Sequence, residues 1–263
     1  MIIQTASLAL LLGALMLLPA CKPAPAPPAS ASAKAPPTAV PATTNLPLPA
    51  PQSTNLLETE VEIDVDKSSE HLTRGNDLLQ QGKLSEATEQ FQLAIKFNPD
   101  DEDLYYNLAI AQQRAGNTQS AKTNYEKALA LYPDYIEALN NLGNILVSEG
   151  QFPQAIACFE KALQQDDKNP STHNNLGTAY ARQKKFAHSL AHFETAIQIQ
   201  PDYPDAQFNL ANAYLFLGRV DDAIDQYNKL LQLHPDFPRA REQLLRAKAA
   251  KTSAAHQRST KTP

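Results

Sequence analysis

Tryptophan is absent from the 263-residue chain, and glycine is scarce at 8 residues. Neither a glycine-turn-rich β-barrel nor a nucleotide-binding α/β fold suits that composition. The phosphate-cradling glycine loop, the dinucleotide glycine signature, G-x-S-x-G and H-E-x-x-H are all missing. The two cysteines, Cys21 and Cys158, are not expected to pair, which would leave the fold independent of a disulfide. Positive charge is short too: residues 56–238 hold 14 Lys and Arg against 27 Asp and Glu, a net of −13. A body so acidic lacks the basic footprint that a phosphate backbone requires, so no nucleic-acid partner is expected. Residues 239–263 reverse the sign, with seven basic residues against Glu242. That end reads as a solvated tail, as chain termini commonly are; contact with anionic lipid or an acidic partner is the alternative.

Proline is unevenly spread, with 11 of 20 between Pro19 and Pro51. Just before them, Ala6 to Ala20 is uncharged and dominated by leucine. The run is shorter than the about 20 residues that span a bilayer, and matches a secretory signal's apolar core. It ends in Leu18-Pro19-Ala20-Cys21, which resembles a bacterial lipobox, although no Lys or Arg precedes the run. The resemblance implies a signal peptide over 1–20 and diacylglycerol on the thiol of Cys21, the lipid-attachment residue. The mature protein would be a lipoprotein held to the membrane through that lipid. More than one acyl chain makes such anchoring stable, at about 0.8 kcal/mol per buried CH₂. An ordinary secretory signal, releasing a soluble periplasmic or secreted protein, is the alternative. Lys22 stands where an inner-membrane retention signal carries Asp, which favours the periplasmic side of the outer membrane in a Gram-negative cell envelope. Residues 21–55 are largely Ala, Pro, Ser and Thr and read as a disordered tether. At roughly 3.1 Å per residue it reaches about 100 Å when extended. Residues 56–67 are an acidic lead-in.

Shifting the chain by 34 positions superimposes residue classes five times over. Small residues recur at Gly75, Ala109, Gly143, Gly177 and Ala211, and again at Ala87, Ala121, Ala155, Ser189 and Ala223. Four positions later stand Phe91, Tyr125, Phe159, Phe193 and Tyr227; then Ala94, Ala128, Ala162, Ala196 and Leu230. Pro99, Pro133, Pro201 and Pro235 close the pattern, with Asp167 in the third copy and Pro170 after it. Within each copy apolar residues recur at three and four, as an amphipathic helix requires. Gly82, Gly116, Gly150 and Gly218 fall midway, where a residue free to take positive φ ends a helix, and Lys184 takes that place once.

These residues at these offsets resemble the tetratricopeptide repeat family over residues 68–237. The family's first-helix tryptophan position holds His71, Tyr105, Leu139, His173 and Gln207 instead. The resemblance implies an all-α, right-handed superhelical solenoid of five helix-turn-helix repeats, at 68–101, 102–135, 136–169, 170–203 and 204–237. No hairpin buries its apolar face alone, so neighbours stack and the array needs a polar end cap. Residues 238–251 suit that capping helix, with Leu244 and Leu245 inward, leaving 252–263 as a disordered basic tail.

In the family, sites 2, 5, 6, 9, 12 and 13 of each repeat face the concave groove. Site 6 reads Thr73, Asn107, Asn141, Asn175 and Asn209; site 9 reads Asn76, Ile110, Asn144, Thr178 and Asn212. A carboxamide both donates and accepts, so a ladder of asparagines could hold an extended peptide main chain without reading its side chains. The resemblance supports such a grip. Bonding between neighbouring helices is the competing role for the same asparagines. Tyr106 and Phe208 at site 5, with Arg114, Arg182 and Phe216 at site 13, are candidate interface anchors, unless the aromatics are buried against the next repeat. Site 2 reads Ser69, Asp103, Glu137, Ser171 and Asp205, which repels the C-terminal carboxylate that one subtype clamps.

His188 and His192 lie one helical turn apart, but without further local ligands they read as a solvent-facing pair and not a metal site. Cys158, beside Phe159, reads as a buried inert thiol. No cofactor, metal, small-molecule substrate or enzymatic activity is expected. The chain reads as an adaptor or assembly scaffold binding a protein or extended peptide. A self-associating structural subunit of an envelope complex is the alternative.

Overall fold

A computed structural model describes residues 63–259; the signal, Cys21, the tether and the lead-in through residue 62 lie outside the described residues. Apolar residues every three to four positions, broken midway through each unit, give pairs of antiparallel helices. The first two units are α1 (Val65–Gln80) with α2 (Leu84–Phe97), and α3 (Glu102–Arg114) with α4 (Thr118–Leu131). The third and fourth are α5 (Ile136–Ser148) with α6 (Phe152–Gln165), and α7 (Pro170–Arg182) with α8 (Phe186–Ile199). The fifth is α9 (Pro204–Phe216) with α10 (Val220–Leu233), and α11 (Pro238–Ser259) follows. Every described helix packs on the next in chain order, and odd-numbered helices also touch across units, as α5 does α7 and α7 does α9. The result is an all-helical solenoid.

Each hairpin turns through one left-handed residue: Gly82 (φ 75°), Gly116 (83°), Gly150 (73°), Lys184 (61°) and Gly218 (74°). The amide that follows donates back to the last turn of the first helix, as Lys83 N does to Leu78 O (2.9 Å) and Lys185 N to Tyr180 O (2.9 Å). This closure satisfies carbonyls that the helix end would otherwise orphan. Proline enters at the opposite ends: Pro153, Pro170 and Pro204 each sit in a first helical turn, where the missing N–H costs nothing.

The core is a run of matched pairs. A Cβ on Gly75, Gly143 or Gly177 would stand 2.6, 2.1 or 2.7 Å from Cε1 of Phe91, Phe159 or Phe193, so these phenylalanines lie flat on a bare backbone. Where the small residue is Ala109 or Ala211, the aromatic is a buried tyrosine, Tyr125 or Tyr227. Phe91 also meets Leu108 and Ala111 of the following unit, which welds one hairpin to the next.

Two ends differ from the sequence expectation. Asp64 caps α1 through Lys67 N, so the helix begins at Val65, inside the acidic lead-in. At the other end α11 does not stop near 251 but runs to Ser259, because no proline or glycine interrupts 239–259 and its Lys, Arg, Ala and Gln residues favour helix. Its buried face is Ala240, Gln243, Leu244 and Ala247, spaced at three and four. Leu245 is 64 % exposed, which corrects its inward placement: consecutive helical residues point about 100° apart, so only one of the two leucines can face the core. The basic helix docks on the acidic last repeat through Arg239–Asp205 (2.9 Å) and Lys251–Asp221. Cys158 is buried on α6, beside the core residue Phe159.

Candidate peptide-binding groove

The odd-numbered helices line one face of the stack, and their side chains open a pocket of about 400 Å³ between α5, α7, α9 and the start of α11. Six of the twelve candidate groove residues meet there: Asn144, Asn175, Arg182, Asn209, Asn212 and Phe216. Thr178, Val147 and Ala181 share the wall, and Asn174, Tyr203, Asp205 and Arg239 add further polar groups to it. Sites 13 and 2 are eleven residues apart on a helix, so the floor runs about 16 Å at 1.5 Å per residue. A smaller hollow of about 350 Å³ joins Arg114, Asn141, Ile110, Gln113 and Tyr125 one repeat earlier.

The asparagines divide by what they bond. Asn209 Nδ2 donates to Oδ1 of Asn174 (3.0 Å), tying α9 to α7. Tyr227 OH donates to Asn212 Oδ1 (2.6 Å), so the core tyrosine holds a groove residue from behind. Asn141 Nδ2 reaches Tyr106 OH (3.3 Å), and Asn107 Nδ2 is spent on Asp103 O of its own helix (2.8 Å). The side chains of Asn144 and Asn175 make no hydrogen bond among the described residues, although both are half-buried. Inter-helix bonds therefore account for some rungs, while other rungs leave their amides unbonded. Asn76, half-buried on α1, lines neither hollow.

The aromatic anchors separate in the same way. Phe208 packs against Tyr227 (6.0 Å between centroids) and Phe237 (5.5 Å), and Tyr106 against Tyr125 (5.9 Å) and Tyr135 (4.8 Å). Both are half-buried between repeats. Phe216 stacks on Phe186 (4.7 Å, 7°) and still lines the large pocket. Arg114 is exposed, whereas the guanidinium of Arg182 is part-buried, and that burial lowers its pKa. Tyr203 on the pocket wall is raised by burial and then by Asp205.

The histidine pair is not solvent-facing as a whole. His188 is exposed, but His192 is half-buried, stacks on Tyr180 (5.6 Å, 5°) and meets His173 Nδ1 at 3.2 Å. His173 occupies the family's tryptophan position, so the α7–α8 contact is made of imidazoles where an indole would stand. Burial, then His173 and His188, depress the pKa of His192 to about 4. Among the described residues no group of three or more His, Cys, Asp or Glu could hold a metal ion, and no helix is long and apolar enough to cross a membrane.

Asn174, Tyr203 and Arg239 are groove residues that the sequence reading left out of its site. Arg239 was within reach: it lies 34 positions after Asp205, at site 2 of an unfinished sixth unit.

Comparisons with known proteins agree with this geometry. Models described as tetratricopeptide repeat or TPR repeat match residues 75–116, 102–135, 124–157, 143–184 and 180–249. No curated protein matches the chain. Among solved structures, MamA from Desulfovibrio magneticus is 20% identical, with 65% of this chain and 97% of that one covered and a TM-score of 0.61. A thermophilic TPR protein from Thermus thermophilus is 26% identical, covering 69% and 99%, with a TM-score of 0.56. YrrB, described as a TPR protein with an unusual peptide-binding site, is 20% identical, covering 69% and 90%, with a TM-score of 0.56. With those matches running unbroken from residue 75 to 249 over a stack of helical hairpins, the chain belongs to the tetratricopeptide repeat family.

Proposed function

We propose that this chain is an adaptor or assembly scaffold of the bacterial cell envelope, holding a protein segment in extended form along its groove. The observation that carries the reading is the pocket on α5, α7 and α9, where Asn144 and Asn175 keep both carboxamide groups available. These half-buried amides face the pocket without a protein partner, and a peptide main chain offers the matching N–H and C=O. The peptide-binding description of YrrB is in keeping with it, for a protein of the same fold.

The double variant N144A/N175A tests the groove. Cross-linking pull-down from native envelopes, read by mass spectrometry, is expected to lose its partner while the helical signal is unchanged. Undiminished capture by the correctly folded variant would refute a role for these amides.

We further propose that Cys21 is the lipid attachment point, which places the groove on the periplasmic side of the outer membrane in a Gram-negative cell. The lipobox-like Leu18-Pro19-Ala20-Cys21 and the proline-rich segment after it support this reading. The mass of the N-terminal peptide tests it directly: a Cys21 thiol without the added mass of diacylglycerol would refute the attachment. C21A should move the protein from the membrane fraction to the soluble one; continued membrane retention would sink the anchor.

A further inference from the structure

We infer that the groove contains an anion subsite at Arg182, which takes an acidic side chain of the bound peptide. The inference rests on the peptide-groove reading above and names the chemistry of its occupant. Arg182 Nε is buried with no hydrogen-bond partner, and the guanidinium makes no ion pair among the described residues. The other cation of the pocket is already matched: Arg239 bonds Asp205 Oδ1 at 2.9 Å and lies over the Phe208 ring at 5.2 Å. Arg74 and Arg114 also lack an acid but are exposed, whereas Arg182 is half-buried with its Nε unpartnered.

Its surroundings fit a ligand carboxylate better than a missing internal one. Arg182 and Phe216 hold site 13 in consecutive repeats and share the pocket wall with Val147 and Ala181, none of which can accept a hydrogen bond through its side chain. The half-buried guanidinium, with its Nε buried and unpartnered, is partly desolvated, which costs free energy that a charge-assisted hydrogen bond offsets. Asp205 lies at site 2, about 16 Å away along the helix axis at 1.5 Å per residue, so the groove is positive at one end only. Between the ends stand the open amides of Asn175 and Asn144, ready for main chain. A segment crossing them, with Glu or Asp at its Arg182 end, would satisfy all three residues.

The full chain is probed with an array of random decapeptides, acetylated and amidated so that only side chains carry charge. Enrichment of Glu or Asp at one fixed place in the bound sequences is expected. For a selected peptide, Glu→Gln at that place should weaken binding about tenfold or more, as loss of a hydrogen bond to a charged group does. R182Q should abolish the preference for Glu over Gln. R182K, which keeps the charge without the planar fork, should retain a reduced preference. Binding with no acidic preference would overturn the subsite and leave the groove standing. An equal Glu preference in R182Q would also overturn it. Absence of any peptide binding would overturn the groove reading and the subsite together.

Discussion

Replacing Lys184 by glycine should stabilise the protein. Lys184 is the one residue among the five hairpin turns that takes positive φ, 61°, with a side chain attached. An L-residue pays about 1–2 kcal/mol for the left-handed region, because Cβ crowds the following carbonyl. Glycine removes that crowding and adds roughly 0.5–1 kcal/mol of unfolded-state entropy, so the balance is a gain of about 0.5–1 kcal/mol. The structure says nothing else is lost: Lys184 is exposed and in no ion pair, and the ring contact of this turn belongs to Lys185 over Tyr180 at 5.9 Å. The four glycine turns show the same space, since a Cβ built on any of them meets nothing within 4 Å. For a protein of this size a gain of that order raises Tm by about 1–4 °C. Thermal unfolding by far-ultraviolet circular dichroism reads it. K184A is the control: it removes the charge but keeps Cβ, and should not reproduce the rise. A K184G variant that melts at or below the wild-type temperature would refute the account of this turn.

Three further outcomes follow from the core. G143A should cost about 1–3 kcal/mol, the range of overpacked cores, because its Cβ would lie 2.1 Å from Phe159 Cε1; denaturant melts should show F159L partly compensating it. Lys122, 5 % exposed, bonds Glu149 at the end of α5. E149A, which strands the buried ammonium, should lose about 1–3 kcal/mol after discounting for the carboxylate's exposure, and more than K122M, which removes the charge itself. His192, depressed to about 4 by burial and its histidine neighbours, stays neutral in the fold where the unfolded chain protonates near 6.5. Its contribution is therefore complete above pH 6.5 and declines as pH falls towards 4; urea melts at pH 7 and 5 should differ by about 1–2 kcal/mol through this group, and H192F should flatten that difference.

The helices, the turns and the pairing of repeats could be read from one period of 34 residues, since each depends on contacts within a hairpin or with the next. Even the exception at Lys184 was visible from its register. The division of labour among the asparagines was not. Whether an amide is open or spent depends on what stands 35 residues away, as for Asn209 with Asn174 and Asn141 with Tyr106. Leu244 and Leu245 look alike in a sequence, and only the docking of α11 on α10 chooses between them. Phe208 and Tyr106 had the chemistry of interface anchors, yet neighbouring repeats already use much of their surface. The cap's contribution to the groove was overlooked because Arg239 lies beyond the last full repeat.

The tyrosine behind the groove has one more consequence. Tyr227 holds Asn212 by its oxygen, and Asn209 gives one N–H to Asn174 while keeping its oxygen and its second N–H. Three residues apart on one helix, each carboxamide is pinned to the fold by one end and has the rest of its hydrogen-bonding capacity to offer. Side chains held in place this way lose little rotamer freedom on meeting a ligand, so under the proposed peptide reading these two amides would contribute contacts without the ordering cost that a loose asparagine brings.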